Sequence, residues 1–584
     1  MLIPLRRPSS AAAGPLKILV VGDSISHGRE GDWTWRYRLW EWLRCQPDVP
    51  FKFVGSYRGT VPPDSPRPPT PPRLVDEPEP PPRPLRTDGG YAKPVCPEFL
   101  EDGGCNHFSA FGRQIYQAKS LVAGEVSLWQ PDLCLVEMGF NDLAWLGSSA
   151  SDVLGFMREL IEQARAAKPD LMFAVADVPH RRTDSPGQED ELSLRTDMYN
   201  AALARAVLDW DAPGSPVKLV RFCENYWCGG ADSRAAYDGL HPNALGEYQI
   251  AQAFVRTLVR DFGIGKGDLE IPSDRMIPER VVSVPGGVEA RSAPCGAEVE
   301  WEKVYGAYGY ELDRIGRGEV RYSACNKFWQ TDCEPGEVLR YRVRSVYGDS
   351  VRSEWSDAVE AVARPETAPP PGNIKLWPAN TGFQIAFSKP EGKFVGEIER
   401  YSVVVYDHCL PGSFPRAFGI KDRIALVTGL EVGHRYGVWV RAWNKAGEGL
   451  PNGCDREVVP GLTGVISAPR GFRIEVLENG GADLMWPVDY SVGGYEVWAL
   501  NTTERKQECL FKCPVDGFEC GKRTVRWLTP SLRTWKFAIK AYNGSVESDL
   551  SEWLSVPENG SSLGPSSPLL IDDSINLSIS QRYC

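Results

Sequence analysis

The chain has 584 residues, 42% hydrophobic and 24% charged, an ordinary globular balance. Its formal net charge of −12 excludes the broad basic face that general nucleic-acid binding requires. No run approaches the ~18 apolar residues of a membrane span, and the length exceeds a single core, so roughly three to five domains are expected.

Residues 1–15 carry Arg6 and Arg7 but no apolar core. No secretory signal peptide is read there, which makes a cytoplasmic setting the default. The sequons at Asn501, Asn543, Asn559 and Asn576 fit an extracellular chain instead. Of 15 cysteines, an odd count, Cys223 with Cys228 and Cys96 with Cys105 are spaced for local disulfides in an oxidising compartment. Cys509, Cys513 and Cys520 lack a fourth ligand at zinc spacing, so no metal and no cofactor is expected.

In chain order, the apolar run 16–21 reads as a buried parallel strand that stops at Gly22-Asp23-Ser24. Trp35, Leu39, Trp42 and Leu43 fall at helical spacing, and residues 51–54 read as a second strand. Residues 61–86 are dominated by proline and exclude a central strand or helix. They read either as a surface insertion or as a lid or partner motif beside a site, since Gly89-Gly90-Tyr91 follows. An α/β rhythm resumes: strands at 133–138, 171–178 and 217–222, helices at 150–167, 192–208 and 244–262. That alternation predicts a parallel sheet covered by helices on both faces, ending near residue 265.

After Pro285 the helical pattern stops and short alternating segments rich in Trp, Tyr and Val take over. Trp301 with Tyr310, Phe387 with Tyr401 and Trp486 with Tyr495 look equivalent, at a period of about 90 to 100 residues. Pro-rich joints at 364–372 and 460–469 separate three units, expected at 283–364, 369–460 and 467–557. The tail, 558–584, is Ser-, Asn- and Gly-rich and is expected to be disordered. Its Gly560-Ser561-Ser562-Leu563-Gly564 matches a nucleophile-elbow pattern but follows no strand.

Four blocks carry chemistry: Gly22-Asp23-Ser24, Gly89-Gly90-Tyr91, Gly139-Phe140-Asn141-Asp142 and Asp238-Gly239-Leu240-His241-Pro242. A serine hydroxyl needs a neighbouring base to become a nucleophile. His is suited to that near neutral pH. Asp238, three residues before His241, can orient the ring as a triad acid does. Asn141 offers an amide donor of the kind that stabilises an oxyanion. Six histidines in all give His27 and His107 little claim to a metal. Trp33, Trp35, Trp40 and Trp42 read as packing ahead of sugar platforms.

On these blocks, residues 16–265 resemble the SGNH hydrolases, also called GDSL esterases. Gly22 through Trp33 is similar to the carbohydrate-esterase-like branch. The resemblance implies a three-layer, flavodoxin-like α/β domain that hydrolyses esters. It makes Ser24 the nucleophile, His241 the base and Asp238 its orienting acid. The Ser24 amide, the Gly90 amide and the Asn141 side chain become the oxyanion donors, with Gly22, Asp23, Gly139 and Asp142 in support. The later units resemble fibronectin type III modules, which are immunoglobulin-like all-β sandwiches. The expected activity is hydrolysis of small acyl groups, above all acetyl esters of carbohydrate or a similar polar acceptor. The modules would then be spacers or docking surfaces for a protein or glycan. Two other readings stay open: an inactive binding or scaffold protein acting through its modules, and a lipase or lysophospholipase of the same fold.

Overall fold

The computed structural model describes residues 14–557, apart from 75–76, 82–83, 182–188, 227, 229–233, 274–275, 278–279, 411, 479, 516–520, 527 and 529–530. The predicted tail with its elbow-like pentapeptide, Asn559, Asn576 and Cys520 lie outside the described residues.

The first domain is built on a parallel sheet: β1 (Leu16–Gly22), β2 (Phe51–Val54), β3 (Phe108–Ser109), β4 (Leu133–Glu137), β5 (Met172–Ala176) and β6 (Val217–Val220). The order is β2-β1-β4-β5-β6, with β3 beside the end of β1. Without β3 this is the doubly wound order of flavodoxin-like sheets, in which ligands bind where the strand order reverses. That point lies between β1 and β4, in register at Ile18↔Leu133 through Gly22↔Glu137. Every residue of β4 is buried, as expected of a strand covered on both faces.

Two groups of helices supply the outer layers. α2 (Trp35–Arg44) packs on the long C-terminal helix of the domain (Ala244–Phe262), where Trp35 stacks on Phe254 at 4.6 Å. The helices at Val122–Trp129, Ala150–Ala167 and Glu189–Trp210 form the other group. Trp35, Trp40 and Trp42 are buried in the core, so their role is packing.

Three pairs of antiparallel sheets follow, each combining a three-stranded sheet with a four- or five-stranded one. They form the all-β sandwich units expected after residue 283. The three ring pairs recur as contacts: Trp301 with Tyr310 at 5.1 Å, Phe387 with Tyr401 at 4.8 Å and Trp486 with Tyr495 at 5.7 Å.

The Pro-rich segment has a structural function that neither sequence reading named. It ties the first domain to the second module. Leu74, buried, bridges to Gly419; the Gly419 N–H donates to the Arg73 carbonyl at 3.0 Å; and Arg400 pairs with Glu77 at 2.9 Å. A Cβ on Gly419 would lie 2.3 Å from the Pro72 carbonyl oxygen, so the close approach requires glycine.

Two other expectations need correction. Cys96, Cys105, Cys223 and Cys228 are free thiols, so the local disulfides are not formed. Asn501 and Asn543 are buried: the first accepts the N–H groups of Thr503 and Glu504, and the second exchanges hydrogen bonds with Val459 between the second and third modules. Neither is open to a glycan in the folded chain. No helix among the described residues is long and apolar enough to cross a membrane.

Trp486 is the buried ring of the third module's pair. Trp486→Ala should cost that module ~3–5 kcal/mol, read as a lowered midpoint in chemical denaturation. An unchanged midpoint would contradict its place in the core.

Candidate active site

Ser24 owes its position to the end of β1. A Cβ on Gly22 would lie 2.4 Å from the Ser26 Cβ and 2.9 Å from the Ser109 Oγ, so only glycine lets the chain turn here. Asp23 then caps a one-turn helix, α1 (Ser24–His27), its Oδ1 accepting the Ile25 N–H at 2.9 Å. Ser24 is the first residue of that helix, where backbone N–H groups have no intrahelical partner.

His241 arrives on a tight hairpin before the C-terminal helix. The Tyr237 N–H donates to the His241 carbonyl at 2.9 Å, and Gly239 takes φ +71°. Asp238 holds both backbone and ring. Its Oδ1 accepts the N–H groups of Leu240 at 3.2 Å and His241 at 2.8 Å, and its Oδ2 meets the His241 Nδ1 at 2.7 Å. The His241 Nε2 lies 2.9 Å from the Ser24 Oγ. Burial alone would raise the Asp238 carboxyl; the imidazole and the two backbone N–H groups outweigh it and hold the group below its ordinary value. Asp238 is therefore charged beside the ring.

Asn141 follows β4 across the switch point. Its amide donates to the Asp23 Oδ2 at 3.2 Å and to the Arg113 carbonyl at 3.1 Å. Gly139 takes φ +129°, and a Cβ there would meet Val178 at 2.8 Å. Asp142 accepts the N–H groups of Ile115 at 2.8 Å and Tyr116 at 3.1 Å, so it anchors the chain after β3. The Asp23 carboxyl is raised to about 7, chiefly by burial.

Gly90 makes no hydrogen bond to Ser24 or His241 among the described residues. It lines a separate open groove of about 550 Å³ with Arg58, Lys93 and Tyr305. Its carbonyl accepts the Gly31 N–H and the Thr60 hydroxyl, each at 2.9 Å. The cavity at Ser24 is bounded by Gly28, Asp32, Tyr237 and Glu247 and measures about 10 Å³, room for about one water.

Sequence reasoning missed two contributors. The first is the segment after β3: the Ala110 N–H donates to the Gly22 carbonyl at 3.1 Å, and Phe111 stacks on His241 at 5.6 Å. β3 is two residues long and gives no hydrophobic run, so only the Ser109-Ala110 pair ahead of an aromatic could have marked it. The second is the pair Tyr237 and Tyr308, stacked in a column on His241. His27 and His107 are fully buried structural residues. Burial, then the charges of Arg36 and Arg113, push His27 down to about 3, and its Nδ1 accepts the Phe111 N–H at 3.3 Å. Among the described residues, the group able to hold a metal ion is remote from Ser24: Asp407, Cys409 and His434 of the second module, with donor atoms within 4.8 Å of one another.

Glu137, at the end of β4, accepts the Ser26 hydroxyl at 2.6 Å. Burial, then the charge of Asp23, pushes its carboxyl well above 4.5. The folded chain thus keeps a proton that the unfolded chain releases, and stability falls as pH rises from about 4.5 toward the raised value. Glu137→Gln should shrink the drop in Tm between pH 5 and pH 8. An equal drop in both proteins would contradict this.

No curated protein matches the chain. Among solved structures, a carbohydrate esterase family 3 protein from Talaromyces cellulolyticus is 20% identical, covering 42% of this chain and 97% of its own, at TM-score 0.30. The Clostridium thermocellum family 3 carbohydrate esterase is 21% identical over 43% of this chain and 100% of its own, at TM-score 0.30. The FN1-FN3 domains of chicken CNTN1 are 13% identical over 47% and 99%, at TM-score 0.18. Residues 95–248, about a quarter of the chain, match the GDSL-like Lipase/Acylhydrolase family, a match that supports carboxylic ester hydrolysis by the first domain.

Proposed function

We propose that the chain is a serine esterase that removes short acyl groups, acetyl above all, from carbohydrate or a similarly polar acceptor. One observation carries this reading. A hydroxyl, an imidazole and a carboxylate from opposite ends of the first domain are joined by contacts of 2.9 and 2.7 Å, beside a cavity.

The Ser24 Oγ attacks the ester carbonyl carbon while the His241 Nε2 takes its proton. Asp238, bonded to Nδ1, fixes the tautomer that leaves Nε2 free to accept and stabilises the imidazolium. The carbonyl oxygen becomes an oxyanion. Its donors are the Ser24 N–H and the Asn141 amide, which would give up one of its present acceptors, Asp23 or the Arg113 carbonyl. Gly90, on the neighbouring groove, is not needed for this reading. The bond to the alcohol oxygen breaks, and His241 returns the proton to it. Water, deprotonated by the same ring, then attacks the acyl-serine; the bond to the Ser24 Oγ breaks, His241 returns the proton to Oγ, and the acid is released.

Ser24→Ala should lower turnover of p-nitrophenyl acetate by ~10³-fold or more, and wild-type rates should fall at least tenfold from acetate to octanoate. Retained turnover in a pure Ser24→Ala protein would refute the nucleophile, and equal rates on both esters would refute the short-acyl preference. Asn141→Ala should cost ~10²–10³ in kcat with KM little changed; an unchanged kcat would remove Asn141 from the donors.

A further inference from the structure

Asp238 fixes one nitrogen of His241, but the plane of the ring is set by neighbours. Phe111 and Tyr237 both lie nearly parallel to the imidazole, each with its centroid 5.6 Å away, at 15° and 16°. Tyr237 in turn stacks on Tyr308 at 4.1 Å and 27°. Tyr308 is not in the hydrolase-like domain. It immediately precedes the strand Gly309–Arg314 of the first β-sandwich module. A column of four rings therefore runs from the candidate active site into the neighbouring module.

The far end of that column is locked. Tyr308 is buried, and its hydroxyl donates to the Asp32 Oδ1 at 2.9 Å. Its N–H donates to the Val346 carbonyl at 2.8 Å. The Arg280 guanidinium lies over its ring at 4.5 Å and also bonds Asp32. Arg29 lies 5.6 Å over Tyr308 and 5.2 Å over Phe111, spanning the column. The same module grips the backbone of Tyr237: the Asp349 N–H donates to its carbonyl at 2.6 Å. Gly348, at φ +137°, comes so close that a Cβ would lie 2.7 Å from that oxygen. Asp32 and Tyr237 both line the cavity at Ser24.

We propose that the first β-sandwich module is a working part of the catalytic centre, with Tyr308 as a positioning residue that sets the His241 ring through Tyr237. The inference rests on the reading of His241 as the base. A ring that must stay in line with both Ser24 and Asp238 tolerates little rotation, and misplacement of a catalytic group is felt in the transition state more than in substrate binding. The module is then more than a spacer, although its sequence carries no catalytic motif.

The test uses the full chain and p-nitrophenyl acetate. Tyr308→Leu keeps an apolar side chain and removes the ring; Tyr308→Phe keeps the ring and removes only the hydroxyl. Tyr308→Leu should lower kcat tenfold or more with KM within threefold of wild type, and Tyr308→Phe should restore kcat to within threefold. Arg340→Ala, which breaks only an exposed ion pair with Glu360 in the same module, should leave kcat unchanged. If Tyr308→Leu does not accumulate as folded protein, Tyr308→Met carries the same prediction. A kcat within twofold of wild type in the ring-less variants would overturn the inference, as would equal losses in the Phe and Leu variants. Ser24→Ala run in parallel separates the failures. If it is active, the reading of His241 as the base falls; if it is inert while Tyr308→Leu is unaffected, only the role of Tyr308 falls.

Discussion

The candidate site depends on the parallel pairing of β1 with β4. Parallel strands joined by helical crossovers bring their carboxyl ends to one rim, and at the switch point the chain leaves that rim in two directions. The register Gly22↔Glu137 therefore sets Ser24 and Asn141, more than a hundred residues apart, on neighbouring strand ends. Asp23 joins them, capping the Ser24 helix with one oxygen and accepting the Asn141 amide with the other. The hairpin carrying Asp238 and His241 closes on this rim from the far end of the domain.

Burial gives the rim its electrostatic character. Asp23 and Glu137 are almost wholly enclosed, and both carboxyls are raised by desolvation. Glu247, which lines the cavity, is pushed up to about 8, again chiefly by burial. These groups favour their neutral forms and act as hydrogen-bonding struts. Asp238 is the contrasting case, since four hydrogen-bonding and charge contributions from His241 and Leu240 outweigh its burial. A carboxylate held charged against the ring is what a base-orienting acid requires. The cost falls on stability at higher pH, through Glu137 and its neighbours.

Much of this was legible in the sequence because it rests on local rules. The apolar run ending in Gly22 could only be a buried strand with a sharp exit, and the spacing of Asp238 to His241 allows one carboxylate to hold a backbone turn and a ring together. The recurring Trp–Tyr and Phe–Tyr pairs revealed three sandwich cores because each ring must fill the same volume between two sheets. What stayed hidden depends on tertiary contact. Proline content predicts an extended segment at 61–86 but not its partner, because the docking is carried by a main-chain hydrogen bond to Arg73, the burial of Leu74 and an ion pair at Glu77. Gly89-Gly90-Tyr91 drew notice by composition, whereas the stretch that meets His241 follows a two-residue strand with no periodicity to read. The sequons at Asn501 and Asn543 are plain in the sequence, but the burial of their side chains in a turn and at a module junction is set by tertiary contact.

The central claim is that the Ser24 hydroxyl is activated by His241. A fluorophosphonate tests it most directly, because it phosphonylates only a serine made nucleophilic by its surroundings. After labelling of the full chain and proteolysis, mass spectrometry should place a single adduct on the peptide containing Ser24, and none should form in His241→Ala. An adduct on another serine, or labelling of Ser24 undiminished in His241→Ala, would contradict the account.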